Sequence, residues 1–110
     1  MGRDYLTDFE LMLLLATLRV GDEAYGVTIA REIEASAERA AMLSAVYACL
    51  DRLEANGLVA SMVGAPTSER GGRAKRYFRV TPAGMKAIRQ AKRALTRLWS
   101  GVPGLEGGRS

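Results

Sequence analysis

The sequence predicts a mainly α fold with a two-stranded β-wing: a winged helix-turn-helix followed by one long C-terminal helix. Three observations carry this expectation. Residues 43–84 read LSAVYACLDRLEANGLVASMVGAPTSERGGRAKRYFRVTPAG, an amphipathic helix, a Gly stop, a strand, a basic Gly-rich loop and a second strand. Two further helical patterns precede this unit. A last one follows it, with apolar residues spaced by alternating steps of three and four.

Taken in order, Thr7 with Glu10 is a capping box, so the first helix starts at Asp8; it runs to about Val20, where Gly21 suits a left-handed stop. Phe9, Leu11, Met12, Leu13, Leu14, Leu15, Ala16 and Leu18 cover nearly its whole circumference. That is more apolar surface than one neighbouring layer uses, which implies burial on two sides, one of them a subunit contact. The second helix is expected from Tyr25 to about Ser36, with Ile29 and Ile33 inward and Arg31, Glu32 and Glu34 mostly outward. Residues 37–42 contain neither Gly nor Pro and signal a turn only weakly. The third helix is expected from about Met42 to Asn56, with Leu43, Val46, Leu50 and Leu53 on one stripe and Gly57 as its stop. Cys49 falls between Val46 and Leu53 and reads as a core thiol. The opposite face carries Ser44, Tyr47, Ala48, Asp51 and Arg52, and its small residues near the helix start suit entry into a major groove.

Leu58–Val63 and Arg76–Val80 read as strands, and the polar, Gly-containing connection between them is too long for a tight hairpin and reads as a mobile wing. Thr81 and Pro82 are an N-cap and a Pro at the first helical position, opening a helix that runs to about Ser100. Along it, Ile88, Ala91, Leu95, Leu98 and Val102 form a seam suited to helix pairing. The expected organisation is a winged-helix DNA-binding domain over 1–81, a dimerisation helix over 82–102 and a disordered Gly-rich tail over 103–110. A chain of 110 residues buries only ~60–65% of its unfolded surface, so a partner subunit would add needed stability.

The formal charge of +4 hides a division: residues 1–69 are net −6 and residues 70–110 net +10. Ten basic residues and no carboxylate lie between Arg70 and Arg97, and seven of the ten are arginines, the side chain that grips phosphate bidentately. The natural partner of such a segment is a polyanion. Catalysis is poorly supported, because the chain has no His and one Cys, which removes the commonest general base and every thiolate metal cluster. Asp51 and Glu54 read as solvating carboxylates, and neither a metal nor an organic cofactor is expected. No stretch reaches the ~20 apolar residues of a membrane span, and nothing at the N-terminus reads as a secretion signal, so a cytoplasmic location is expected.

These readings select candidate residues. Arg70, Gly71, Gly72, Arg73, Lys75 and Arg76 form the wing, where the glycines allow close backbone approach to a phosphate or a minor groove. Ser44, Tyr47 and Arg52 sit on the reading face, and Tyr25 lies near the positive end of the second helix. Phe9, Leu13, Ile88, Ala91, Leu95 and Leu98 are the expected dimerisation contacts, and Trp99 beside that seam is a candidate to stack on a planar ligand. The partners so implied are double-stranded DNA with a pseudo-palindromic site, a second copy of the chain and a small hydrophobic effector. Two rival readings are a sensor of planar hydrophobic compounds and a module docking an acidic protein or a membrane surface.

The segments FELMLLLATL, AYGVTIAREI, AVYACLDRLEANGLV and GGRAKRYFRVTPAG together resemble the PadR family of bacterial transcriptional regulators, specifically its short-tailed members, over about Asp8 to Val102. The resemblance implies a homodimeric winged helix that binds an operator, usually as a repressor released by a small molecule or another signal. It matches Tyr47 to the family's recognition-helix Tyr, Tyr25 to the Tyr before Gly in the second helix, and Gly71, Gly72, Arg73 and Arg76 to the wing. Two positions depart from it. Met42 and Leu43 stand where relatives often carry a short polar residue, and Trp99 falls about one turn later than the paired Trp of a drug-sensing branch.

Overall fold

The structure, a computed structural model, describes residues 6–64 and 74–105. Helix α1 spans Asp8–Val20, and its start is the expected box: Thr7 Oγ1 accepts from the Glu10 N–H at 3.1 Å while the Glu10 carboxylate accepts from the Thr7 N–H at 2.9 Å. Gly21 takes φ 77° and opens a short 3₁₀ turn over Gly21–Glu23. Helix α2 spans Gly26–Ala37. It begins one residue later than expected because Tyr25 is its N-cap, held by Thr28, whose hydroxyl accepts from the Tyr25 N–H at 3.0 Å and donates to the Glu23 carbonyl at 2.7 Å.

The weak turn signal after α2 has a physical cause. Glu38 ends the helix in the left-handed region, φ 52° and ψ 42°, where a side chain is strained. Distant contacts hold it there: Arg39 donates to Asp8 at 3.2 Å and lies over the Phe9 ring at 5.4 Å, and the Ala41 N–H donates to Glu34 at 3.3 Å.

Helix α3 spans Leu43–Ala55, and Met42 at its N-cap supplies no side-chain hydrogen bond. Strands β1 (Val59–Val63) and β2 (Arg76–Val80) pair antiparallel in the register Val59↔Val80, Ser61↔Phe78, Val63↔Arg76. The Phe78 N–H also donates to the Ala24 carbonyl at 2.9 Å, which ties the wing base to the segment leading into α2. Helix α4 spans Pro82–Trp99. Thr81 caps it by accepting from the Gly84 N–H at 3.1 Å, and the same hydroxyl donates to the Gly57 carbonyl at 2.6 Å, so α4 leaves from the C-terminal end of α3.

The core joins Leu13 and Leu14 of α1, Ile29 and Ile33 of α2, Val46, Cys49, Leu50 and Leu53 of α3, Val59 and Phe78. Full burial of one such aliphatic side chain contributes ~1.5–3 kcal/mol, so this cluster holds the three-helix unit and the wing base together. Two expectations need correction. Leu43 is 42% exposed and Cys49 takes its place in the core, because Val46, Cys49, Leu50 and Leu53 share one arc of the helix and Leu43 lies at its rim. Leu13 is fully buried in the chain's own core and has no surface to offer a partner. Past α4, Val102 and Leu105 donate to the Trp99 and Val102 carbonyls at 3.2 Å each, closing successive turns, and 106–110 lie outside the described residues.

The radius of gyration is 15.9 Å, against ~13 Å for a compact domain of this length. At the end of α4, Leu95, Leu98 and Trp99 are 50%, 74% and 55% exposed.

Candidate nucleic-acid interface

Helix α3 buries one stripe and turns the other outward, which leaves Ser44, Ala45, Ala48 and Asp51 exposed, with Met42 standing free at the helix start. Tyr47 is partly exposed, and its ring tip lies on the first turn of α2. A methyl group at Gly26 would sit 2.3 Å from Tyr47 Cζ, so only Gly leaves the seat that holds this ring. The sequence carried a signal for this contact in the AYG opening of the second helix, but not its partner.

A second cluster ties the wing base to α2. Tyr25 meets Tyr77 edge to face, with ring centroids 5.7 Å apart, and Lys75 Nζ lies 4.3 Å from the Tyr25 ring centroid. Tyr77 was not among the sequence-derived candidates, although its place in β2 was expected.

Arg76 is occupied from within the chain. It pairs with Glu54, donates to Asp51 at 3.1 Å and to the Ser61 hydroxyl at 3.3 Å, and stacks over Phe78 at 4.8 Å. The side chain thus joins β2 to the last turns of α3 while staying partly exposed. The two carboxylates read as solvating are the acceptors. The Ser61 hydroxyl and then Arg76 hold the Glu54 carboxyl below the usual carboxylate range, so the clamp is charged at neutral pH. Arg52 is drawn the same way, its Nε 3.8 Å from the carboxylate of Glu10, which is buried in the capping box of α1. Arg52 thus reaches from α3 towards α1 with its side chain still 55% exposed. On α2, the Ser36 hydroxyl and Arg19 lower the Glu32 carboxyl similarly.

The structure thus brings Tyr47 onto the start of α2, next to the Tyr25–Tyr77–Lys75 cluster, and engages Arg52 and Arg76 in ion pairs within the chain while leaving both partly exposed. Arg70, Gly71, Gly72 and Arg73 lie outside the described residues.

Away from this unit, α1 and α4 enclose an open apolar groove of ≈480 Å³ lined by Leu11, Leu15, Ile88, Lys92, Leu95, Thr96, Trp99 and Ser100. Leu15 and Leu18 are each 42% exposed beside it. Phe9, half-buried beneath Arg39, packs on the protomer's own core; Ile88 and Ala91 are partly buried.

A helix-turn-helix whose second helix leads straight into a clamped two-stranded wing defines a winged-helix protein of the nucleic-acid-binding type. The sequence profile described as the transcriptional regulator PadR-like family matches residues 14–90. The chain belongs to that family and is, at that level, a DNA-binding transcriptional regulator. No curated protein matches the chain. Among solved structures it is similar to a transcriptional regulator from Clostridium thermocellum (22% identity, 81% of this chain and 83% of that chain, TM-score 0.67). A PadR family transcriptional regulator from Eggerthella lenta is equally similar (23% identity, 82% and 76%, TM-score 0.67). A protein from Streptococcus mutans UA159 matches over 96% of this chain and 95% of its own, at 21% identity and TM-score 0.67. At these identities the likenesses show the fold.

Proposed function

We propose that this protein is a homodimeric, cytoplasmic repressor that binds a pseudo-palindromic operator through α3 and the wing of each protomer. The observation that carries the reading is the clamped α3–wing unit in which the first two turns of the helix, Leu43–Leu50, carry no charge, in a chain whose C-terminal 41 residues are net +10. Ser44 and Tyr47 meet the base edges, Tyr25 and Lys75 lie towards the flanking backbone, and Arg70 and Arg73 with Gly71 and Gly72 engage phosphates or the minor groove. Support for the dimer comes from the exposed Leu95, Leu98 and Trp99 of α4 and Leu15 of α1, which lines the same groove as Leu95 and Trp99, a cluster of exposed apolar side chains of the kind that marks an interaction surface. Two-fold symmetry then sets half-sites about one helical turn, ~34 Å, apart.

The test is a fluorescence-anisotropy titration on a duplex selected by the protein from random DNA, repeated over a range of salt. Log K is expected to fall linearly with log salt, with slope ~0.9 per phosphate neutralised, and Arg73→Ala is expected to weaken binding to all sequences alike. Tight binding that ignores salt contradicts the reading.

The groove between α1 and α4 favours one addition. Its apolar lining and the partly exposed Trp99 suit a planar hydrophobic effector whose binding releases DNA. Quenching of Trp99 fluorescence by such compounds, at concentrations that dissociate the operator complex, tests this role.

A further inference from the structure

We infer that the reading helix recognises thymine methyl groups and that its half-site is built around A·T pairs. This rests on the DNA-binding reading above and adds the chemistry of the bases read. Major-groove discrimination of guanine uses Arg or Lys on O6 and N7, and that of adenine uses Asn or Gln on N6 and N7. From Met42 to Leu50 the chain contains none of these four residue types. The outward side of the first two turns is apolar apart from two hydroxyls: Met42 is 72% exposed, Leu43 42%, and Ala45 and Ala48 are exposed beside Ser44 and Tyr47.

Among the described residues, the guanidiniums of the turn before α3, of α3 itself and of β2 are already paired. Arg39, in the turn before α3, is held by Asp8; Arg52 by Glu10; Arg76 by Glu54 and Asp51. Each of the three would have to abandon a carboxylate to reach a guanine. What the face offers is a set of methyl and methylene groups at the level of the groove floor, and the matching feature of a base pair is the C5-methyl of thymine. Small side chains at positions 45 and 48 allow the backbone to approach closely enough for that contact, while the two hydroxyls are compatible with any base.

The experiment replaces thymidine by deoxyuridine in one half-site of a duplex selected by the protein from a random library, which removes the methyl group and leaves every hydrogen-bonding group unchanged. Each contacted methyl is expected to be worth about fourfold in affinity, so two or three such replacements weaken binding by an order of magnitude or more. Met42→Ser is the matching protein variant. It gains a helix cap, so a loss of affinity is not a loss of folding, and it is expected to shrink the deoxyuridine penalty. A selected, specifically bound duplex that binds equally well with deoxyuridine overturns the inference while leaving the DNA-binding reading intact, as does a half-site of G·C pairs. Failure to enrich any sequence overturns both.

Discussion

Glu38 and Gly26 show how single positions shape the reading head. Glu38 closes α2 in a left-handed conformation that costs a non-Gly residue ~1–2 kcal/mol relative to Gly, so Glu38→Gly is expected to stabilise the fold by roughly 0.5–1 kcal/mol after the entropy of Gly in the unfolded chain is counted. Thermal unfolding measures it, and a lowered melting temperature would refute the strain. Gly26 acts on Tyr47. An Ala there would drive its methyl into the ring, so Gly26→Ala is expected to lower affinity for a selected duplex about fivefold to tenfold by moving the Tyr47 hydroxyl off the base contact proposed for it. In a Tyr47→Ala background the same substitution is expected to have little effect, and an undiminished effect there would mean that Gly26 works by another route.

Among the secondary-structure elements, the clamp between β2 and α3 decides how the wing stands relative to the reading helix. Glu54→Gln keeps the side chain's size, removes a negative charge from a DNA-binding surface, and weakens the pairing with Arg76. Simple charge arithmetic says that binding should tighten. The clamp says that it loosens, by about threefold to fivefold, the range open to a partly exposed ion pair. Anisotropy on one duplex at one salt concentration separates the two signs.

The same elements show which features were legible in advance. Capping residues Thr7, Thr81 and Pro82, the Gly57 stop and the period of α3 are local signals, and each element begins or ends within a residue or two of where they put it. The turn over 38–42 was illegible because contacts from Asp8, Phe9 and Glu34 hold it, not a turn residue of its own. Candidate cations were read from charge alone, and charge does not reveal a partner: Arg52 and Arg76 lie opposite carboxylates far away in sequence, and Lys75 lies over a ring fifty residues earlier. Leu13 failed as a dimer contact for a similar reason, since a helix apolar on every side does not say which side faces its own core.

Taken as one body, the chain has a compact three-helix head and wing and a final helix that carries exposed leucines beyond it. In a dimer that seam is covered, and the two heads are held at a fixed separation. Leu98→Glu, at the most exposed apolar position of α4, is expected to shift the protein to monomers in sedimentation equilibrium while leaving the far-ultraviolet circular dichroism of the head unchanged. Loss of affinity for DNA is expected to follow in proportion to the monomer present. The measurement that bears most directly on a two-headed reader is the stoichiometry of the complex, by sedimentation equilibrium of the protein with a selected duplex of about 30 base pairs. Two chains per duplex are expected, on half-sites about one helical turn apart; one chain per duplex, or two bound independently at unrelated spacings, would contradict it.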